Sequence, residues 1–162
     1  MDTAVVTAYA ACLREHRSVF AGLERLQGAV EAAAQRMARS LESGGKILLC
    51  GNGGSAADCQ HLAAELTGRF VGERPPLAAL SLTTDTSALT CIGNDYAFAD
   101  VFRRQLLGLA RRGDCLVGIS TSGNSENVVR AFESARALGV ATIGLLGRDG
   151  GHLAPLSDVA IV

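Results

Sequence analysis

From Val5 to about Leu41, apolar residues recur at steps of three and four: Val6, Tyr9 and Leu13, then Phe20, Leu23, Leu26, Val30, Ala34, Met37 and Leu41. That period predicts a long amphipathic helical segment. It is expected to divide near Arg17-Ser18 and to end at Ser43-Gly44-Gly45, where glycine suits a helix C-cap. Such a stripe needs an apolar partner, either the chain's own sheet or other subunits. After Gly45 the period changes. Short apolar runs at Lys46–Cys50, Leu77–Leu82, Cys115–Ile119, Val140–Leu145 and Asp158–Val162 read as strands buried on both faces. Between them lie helical patterns: Ala56–Phe70, the set Phe98, Val101, Phe102, Leu106 and Leu109, and the set Val128, Val129, Phe132, Ala135 and Leu138. Strands alternating with helices of roughly 10–15 residues predict an α/β chain whose parallel sheet carries helices on both faces.

Composition narrows this picture. A length of 162 residues fits about one domain, and 48% hydrophobic against 19% charged residues excludes a disordered chain. Nineteen glycines against three prolines suit many tight strand-to-helix turns. A formal net charge of -1 gives no global positive field, so neither nucleic acid nor an anionic membrane is an expected partner. Cys12, Cys50, Cys59, Cys91 and Cys115 are odd in number and form no C-x-x-C pair, so they are expected to be buried free thiols in a reducing cytoplasm. The N-terminus Met1-Asp2-Thr3 lacks a basic leader region, and no apolar run approaches the ~18 residues of a membrane span.

In open parallel sheets, ligands bind beyond the carboxyl ends of the strands. The first strand runs into Gly51-Asn52-Gly53-Gly54-Ser55, whose glycines permit a sharp turn and close approach to backbone amides, with Ser55 suited to capping or to a hydroxyl contact. The loop is neither G-x-G-x-x-G nor a P-loop, which disfavours dinucleotides and nucleoside triphosphates. Taken alone, it also fits an ordinary βα turn. The third strand runs into Ser120-Thr121-Ser122-Gly123-Asn124-Ser125, four hydroxyls and an amide at a helix N-terminus with no Lys or Arg. That chemistry suits a phosphate monoester. Thr83-Thr84-Asp85-Thr86-Ser87 and Gly93-Asn94-Asp95-Tyr96 read as capping and turn sequences. His61 and Glu65, four residues apart, share a helix face that Arg69 continues, a spacing that serves one metal ion, an acid/base pair or a plain solvated face.

Gly51-Asn52-Gly53-Gly54-Ser55-Ala56-Ala57-Asp58, Gln60-His61, Ala64 to Phe70, Arg74-Pro75, Gly93 to Tyr96 and Gly118 to Ser125 closely resemble the phosphoheptose isomerases, a family of sugar isomerase (SIS) domains. The likeness runs through Gly147-Arg148-Asp149-Gly150-Gly151. It implies a three-layer fold with a five-stranded parallel sheet over 44–162, and an N-terminal helical segment over 1–43 that helps build a homotetramer. The implied reaction converts D-sedoheptulose 7-phosphate to D-glycero-D-manno-heptose 7-phosphate, on the way to the heptose of lipopolysaccharide. Ser55, Ser120, Thr121, Ser122 and Ser125 then hold the phosphate. Asn52, Gly53, Gly54, Asn94 and Asp95 line the sugar. His61 and Glu65 match zinc ligands, and Glu65 also matches the base that moves a proton between C1 and C2 through a cis-enediol. The resemblance places the remaining zinc ligands and a general acid on a helix beyond the last strand, past Val162. His16 and His152 match none of these positions.

Proton abstraction beside a carbonyl needs a carboxylate base and an electrophile, while a remote phosphate anchors the substrate. A second reading is a non-catalytic SIS protein that associates with a replication initiator protein; such relatives lose the carboxylate that Glu65 retains. A third is a phosphosugar-sensing regulatory domain, which normally carries a fused DNA-binding domain.

Overall fold

The computed structural model of the chain describes residues 3–162, with side chains from residue 7 onward. Met1 and Asp2, read above for leader features, and the side chains of Val5 and Val6 lie outside the described residues. The helices are α1 (Thr3–Ala21), α2 (Gln27–Glu42), α3 (Gly54–Thr67), α4 (Thr86–Asp95), α5 (Val101–Leu109) and α6 (Glu126–Leu138), and the strands are β1 (Ile47–Gly51), β2 (Ala79–Ser81), β3 (Cys115–Ser120), β4 (Ala141–Leu146) and β5 (Val159–Ile161). Every strand pair is parallel, in the order β2-β1-β3-β4-β5.

Both faces of the sheet are covered, which is why its strands read as unbroken apolar runs. Ile47 and Leu49 of β1, Cys115 and Val117 of β3 and Ile143 of β4 point to one face, where Ala33, Met37 and Leu41 of α2 and Cys59, Ala63 and Leu66 of α3 meet them. Leu48, Cys50 and Leu116 point the other way, into Ile92 of α4, Val101, Phe102 and Leu106 of α5, and Val128, Ala131 and Phe132 of α6. The α6 helix sits close because β3 carries Gly118 there. A Cβ at that position would stand 2.4 Å from the Phe132 ring, far inside van der Waals contact.

The amino ends of the strands are tied by a buried charge. Asp114 accepts hydrogen bonds from the Lys46 backbone N–H (2.9 Å), Lys46 Nζ (2.6 Å) and the Arg111 backbone N–H (2.8 Å). Burial alone would raise the pKa of this carboxyl, but those hydrogen bonds and the Lys46 charge more than reverse it and hold it below the usual carboxylate value.

Three elements differ from expectation. The N-terminal segment breaks at Gly22, not near Arg17-Ser18. The Gly22 N–H bonds back to Val19 O, and a 3-10 turn over Leu23–Leu26 follows. Glycine's low helix propensity explains the break; Arg and Ser do not interrupt a helix. Thr86–Asp95 is a helix, with Asp85 as its N-cap accepting from the Ala88 N–H at 2.9 Å, where the sequence had suggested turns at both ends. Cys50, Cys59 and Cys115 are buried as expected, but Cys12 and Cys91 are exposed, because each sits on the outer side of its helix.

The α1 helix leaves Tyr9, Leu13, Val19 and Phe20 exposed. Among the described residues no helix is long and apolar enough to cross a membrane.

Candidate active site

Strands β1 and β3 are adjacent, with Gly51 registered against Ile119, so Asn52 and Ser120 leave the sheet side by side. From there the chain diverges: α3 packs on one face and α6 on the other. That is a topological switch point, where doubly wound sheets open a crevice at their carboxyl edge.

The glycine loop turns through Gly53 at φ 56°, ψ -121°, a conformation that needs glycine. Gly53 is also the N-cap of α3 and brings no side chain to the helix end. Ser55 lies in the first helical turn, so it is not the cap. Across the crevice, Ser125 is the N-cap of α6, yet its hydroxyl makes no cap bond and instead lies 3.0 Å from that of Ser120. Ser122 Oγ accepts from the Asn124 N–H at 3.1 Å. The loop is braced from behind by residues 147–153. Gly147 N–H donates to Ser120 O, Leu153 N–H to Gly123 O, and His152 N–H to Asn124 Oδ1. Gly123, at φ +66°, abuts Gly150 so closely that a Cβ would lie 2.1 Å from Gly150 O. A braced, hydroxyl-rich turn at the N-terminus of a 13-residue helix is suited to a phosphate.

On α3, His61 Nε2 stands 3.1 Å from Glu65 Oε1. Both border an apolar groove of about 480 Å³ between α2 and α3, lined by Val30, Met37, Leu62, Val117 and Ile143 among others. Helix α3 ends at Thr67, so Arg69 does not continue the stripe; it faces Glu73 at 3.9 Å.

Comparison with known proteins decides the family. A SIS domain model matches residues 9–147. A phosphoheptose isomerase of Helicobacter pylori (strain Shi470) is 58% identical over 140 residues, covering 86% of this chain and 73% of the relative. The solved phosphoheptose isomerase of Neisseria gonorrhoeae superposes with a TM-score of 0.84 at 49% identity, over 97% of this chain and 82% of that one. The one from Francisella tularensis gives 0.91 at 36% identity, over 99% and 85%. The chain belongs to the phosphoheptose isomerases of the SIS-domain family. As a member of that family it is an isomerase, and its five-stranded α/β fold is the family's fold.

Of the residues that the isomerase resemblance selects, the structure gathers Asn52, Gly53, Gly54 and Ser55 opposite Ser120, Thr121, Ser122 and Ser125. It does not bring Asn94 and Asp95 into hydrogen bonding with either loop. They lie exposed in the last turn of α4, where Asn94 Nδ2 donates to Asp95 Oδ1 at 2.8 Å and Cys91 Sγ donates to Asp95 Oδ2 at 3.4 Å. Those two bonds hold the Asp95 carboxyl below its ordinary pKa, and Asp95 in turn pushes the Cys91 thiol up. His61 and Glu65 sit well along α3 from the crevice. As zinc donors the pair is chemically apt, an imidazole and a carboxylate at touching distance, but catalytic zinc usually takes three protein ligands. Among the described residues no cluster of three or more His, Cys, Asp and Glu side chains is suited to a metal ion. These residues fit part of a zinc site, and no chemical step below is routed through the metal.

Two residues escaped the sequence reading. Arg74 caps the C-terminus of α3, with Nη2 donating to Glu65 O at 2.6 Å and Nη1 to Leu66 O at 2.9 Å. It thus holds the backbone of Glu65 itself. Asn127 pairs with Asn52 and is only 4% exposed. Arg74 belongs to the Arg74-Pro75 pair that shares in the family resemblance, just beyond the helix end, whereas the residues around Asn127 carry no signal of its pairing.

Proposed function

We propose that the chain converts D-sedoheptulose 7-phosphate to D-glycero-D-manno-heptose 7-phosphate in the cytoplasm, supplying bacterial heptose and lipopolysaccharide precursors. The observation that carries the substrate class is the braced serine turn at the β1/β3 switch point. It offers hydroxyls and a helix N-terminus without a cation, and it fits a phosphate ester held as a remote handle.

In this reading Ser55, Ser120, Thr121, Ser122 and Ser125 bind the phosphate, and Asn52, Gly53, Gly54, Asn94 and Asp95 line the sugar chain. Glu65 takes the proton from C1 of the ketose and returns it to C2 of the cis-enediol, while the O1 hydroxyl proton passes to O2, so that the carbonyl moves to C1 and a hydroxyl is left at C2. His61 and Glu65 would serve as two ligands of a zinc ion, and such an ion would polarise the carbonyl oxygen.

The length of α3 and the exposed stripe of α1 support sites shared between the copies of a homotetramer. Glu65 follows Gly54 by eleven positions on α3, about 16 Å of helix at about 1.5 Å per residue. An extended heptose phosphate spans roughly 10 Å from C1 to phosphorus, counting eight bonds of about 1.5 Å at tetrahedral angles. The backbone of α3 thus runs longer than the sugar phosphate itself, which favours a base supplied by a neighbouring copy, with the exposed apolar stripe of α1 as the surface through which copies associate.

The test is turnover of sedoheptulose 7-phosphate by wild type and by Glu65→Gln, with and without a zinc chelator. Loss of turnover in Glu65→Gln with sugar-phosphate binding retained is expected, as is loss on chelation restored by zinc. Turnover by Glu65→Gln would overturn the assignment of the base.

A further inference from the structure

The two loops of the crevice are joined by one side-chain pair. Asn52 Nδ2 donates to Asn127 Oδ1 at 2.9 Å, and Asn127 Nδ2 donates to Asn52 Oδ1 at 2.8 Å, across 75 residues of sequence. Among the described residues these are the only hydrogen bonds that link segment 52–55 to segment 121–127. Asn52 is half-buried where β1 ends, and Asn127 is buried in the first turn of α6. A reciprocal amide pair fixes both the separation of its partners and their common plane, and a buried amide deprived of its partner loses more than the bond itself.

The pair sits where it has mechanical leverage. Strands β1 and β3 are locked in register up to Gly51 and Ile119, but past that point α3 and α6 depart to opposite faces. The ladder holds Ser120 but reaches neither Ser55 on one lip nor Ser125 on the other. The pair also commits Asn52: one of its two N–H groups and one acceptor site are spent on Asn127, leaving a single N–H for a ligand.

We propose that Asn127 is a positioning residue for the phosphate site, clamping the glycine loop to the serine loop and presenting the remaining N–H of Asn52 to the bound sugar phosphate. This rests on the assignment of the serine loop as the phosphate site. Asn127 does its work through Asn52 and the loop spacing, without itself reacting.

The experiment compares Asn127→Ala, Asn127→Ser, Asn52→Ala and the double alanine variant by the Kd of inorganic phosphate and by KM and kcat for sedoheptulose 7-phosphate, with thermal melts alongside. Loss of one well-aligned, buried hydrogen-bonded pair predicts about a tenfold rise in phosphate Kd and in KM for Asn127→Ala. A smaller change in kcat is expected, and no further loss in the double variant, because both single changes break the same clamp. Asn127→Ser keeps a polar group at this position and adds no charge, and it is expected to fall between wild type and alanine in phosphate Kd. An unchanged Kd and KM in a folded variant, with only the melt lowered, would overturn the proposal, as would additive losses in the double variant. The phosphate arm does not depend on turnover. A wild type that binds phosphate through this clamp but leaves the heptulose unconverted would overturn the assignment of sedoheptulose 7-phosphate as substrate and leave the clamp standing.

Discussion

At the scale of single residues, environment divides side chains that the sequence lists as equals. Cys59 and Cys115 have their thiols pushed up to about 12 by burial, and the same cause holds Cys50 well above its ordinary value. Thiolate is the reactive form, so these three should be silent toward iodoacetamide in the folded protein. Cys91 is exposed but donates to the Asp95 carboxylate, which disfavours its thiolate. Mass spectrometry over a time course at about pH 8 should show alkylation confined to Cys12 and Cys91. Asp95→Asn, which removes the opposing charge, should speed the Cys91 reaction while leaving Cys12 unchanged. Equal Cys91 rates in the two proteins would show that the bond is not made in solution.

At the scale of elements, the carboxyl ends of the strands are given over to loops while the amino ends are held by Asp114. Replacing it with Asn strips Lys46 Nζ and two backbone N–H groups of a charged acceptor; with Lys46 partly exposed, the loss should be about 2–3 kcal/mol. The pH dependence has a definite sign. The folded pKa lies below the unfolded value of about 3.9, so the stabilisation is fully present above about pH 4 and is lost as pH falls through the folded value. Urea titrations should show wild type and Asp114→Asn separated at neutral pH and converging in acid. A gap that persists at low pH would rule out the ionised carboxylate as its source. Arg74 does comparable work at the far end of α3, holding the backbone of the turn that carries Glu65.

At the scale of the whole molecule, α3 runs from the glycine loop to Glu65, and the proposed assembly joins one copy's phosphate loop to another copy's base. A mixture of Glu65→Gln with the doubly substituted Ser120→Ala/Ser122→Ala, dissociated and reassembled together, should therefore recover part of the activity that each lacks alone, since some sites would combine an intact loop with an intact base. Activity no higher than the sum of the separate variants would mean that each chain carries its own complete site.

Much of this molecule was legible along the chain. The change from a three-to-four period to short apolar runs marked where the sheet begins, because strands covered on both faces must be apolar at every position, as Ile47 to Cys50 are. The two loops were legible too, since six small or polar residues after a buried strand have few structural uses. Helix α4 was not, because its ends, Asp85 to Ser87 and Gly93 to Tyr96, are turn formers and only Ile92 of its length is buried. Local composition thus determined the elements, the class of fold and the chemistry offered at the crevice. Tertiary structure alone decided that Asn127 meets Asn52 across 75 residues, that Arg74 returns to the carbonyl of Glu65, and that His61 and Glu65 stand far down α3 from the serine turn. Those relations depend on strand order and crossover, and no periodicity within a segment encodes which distant segment will lie beside it.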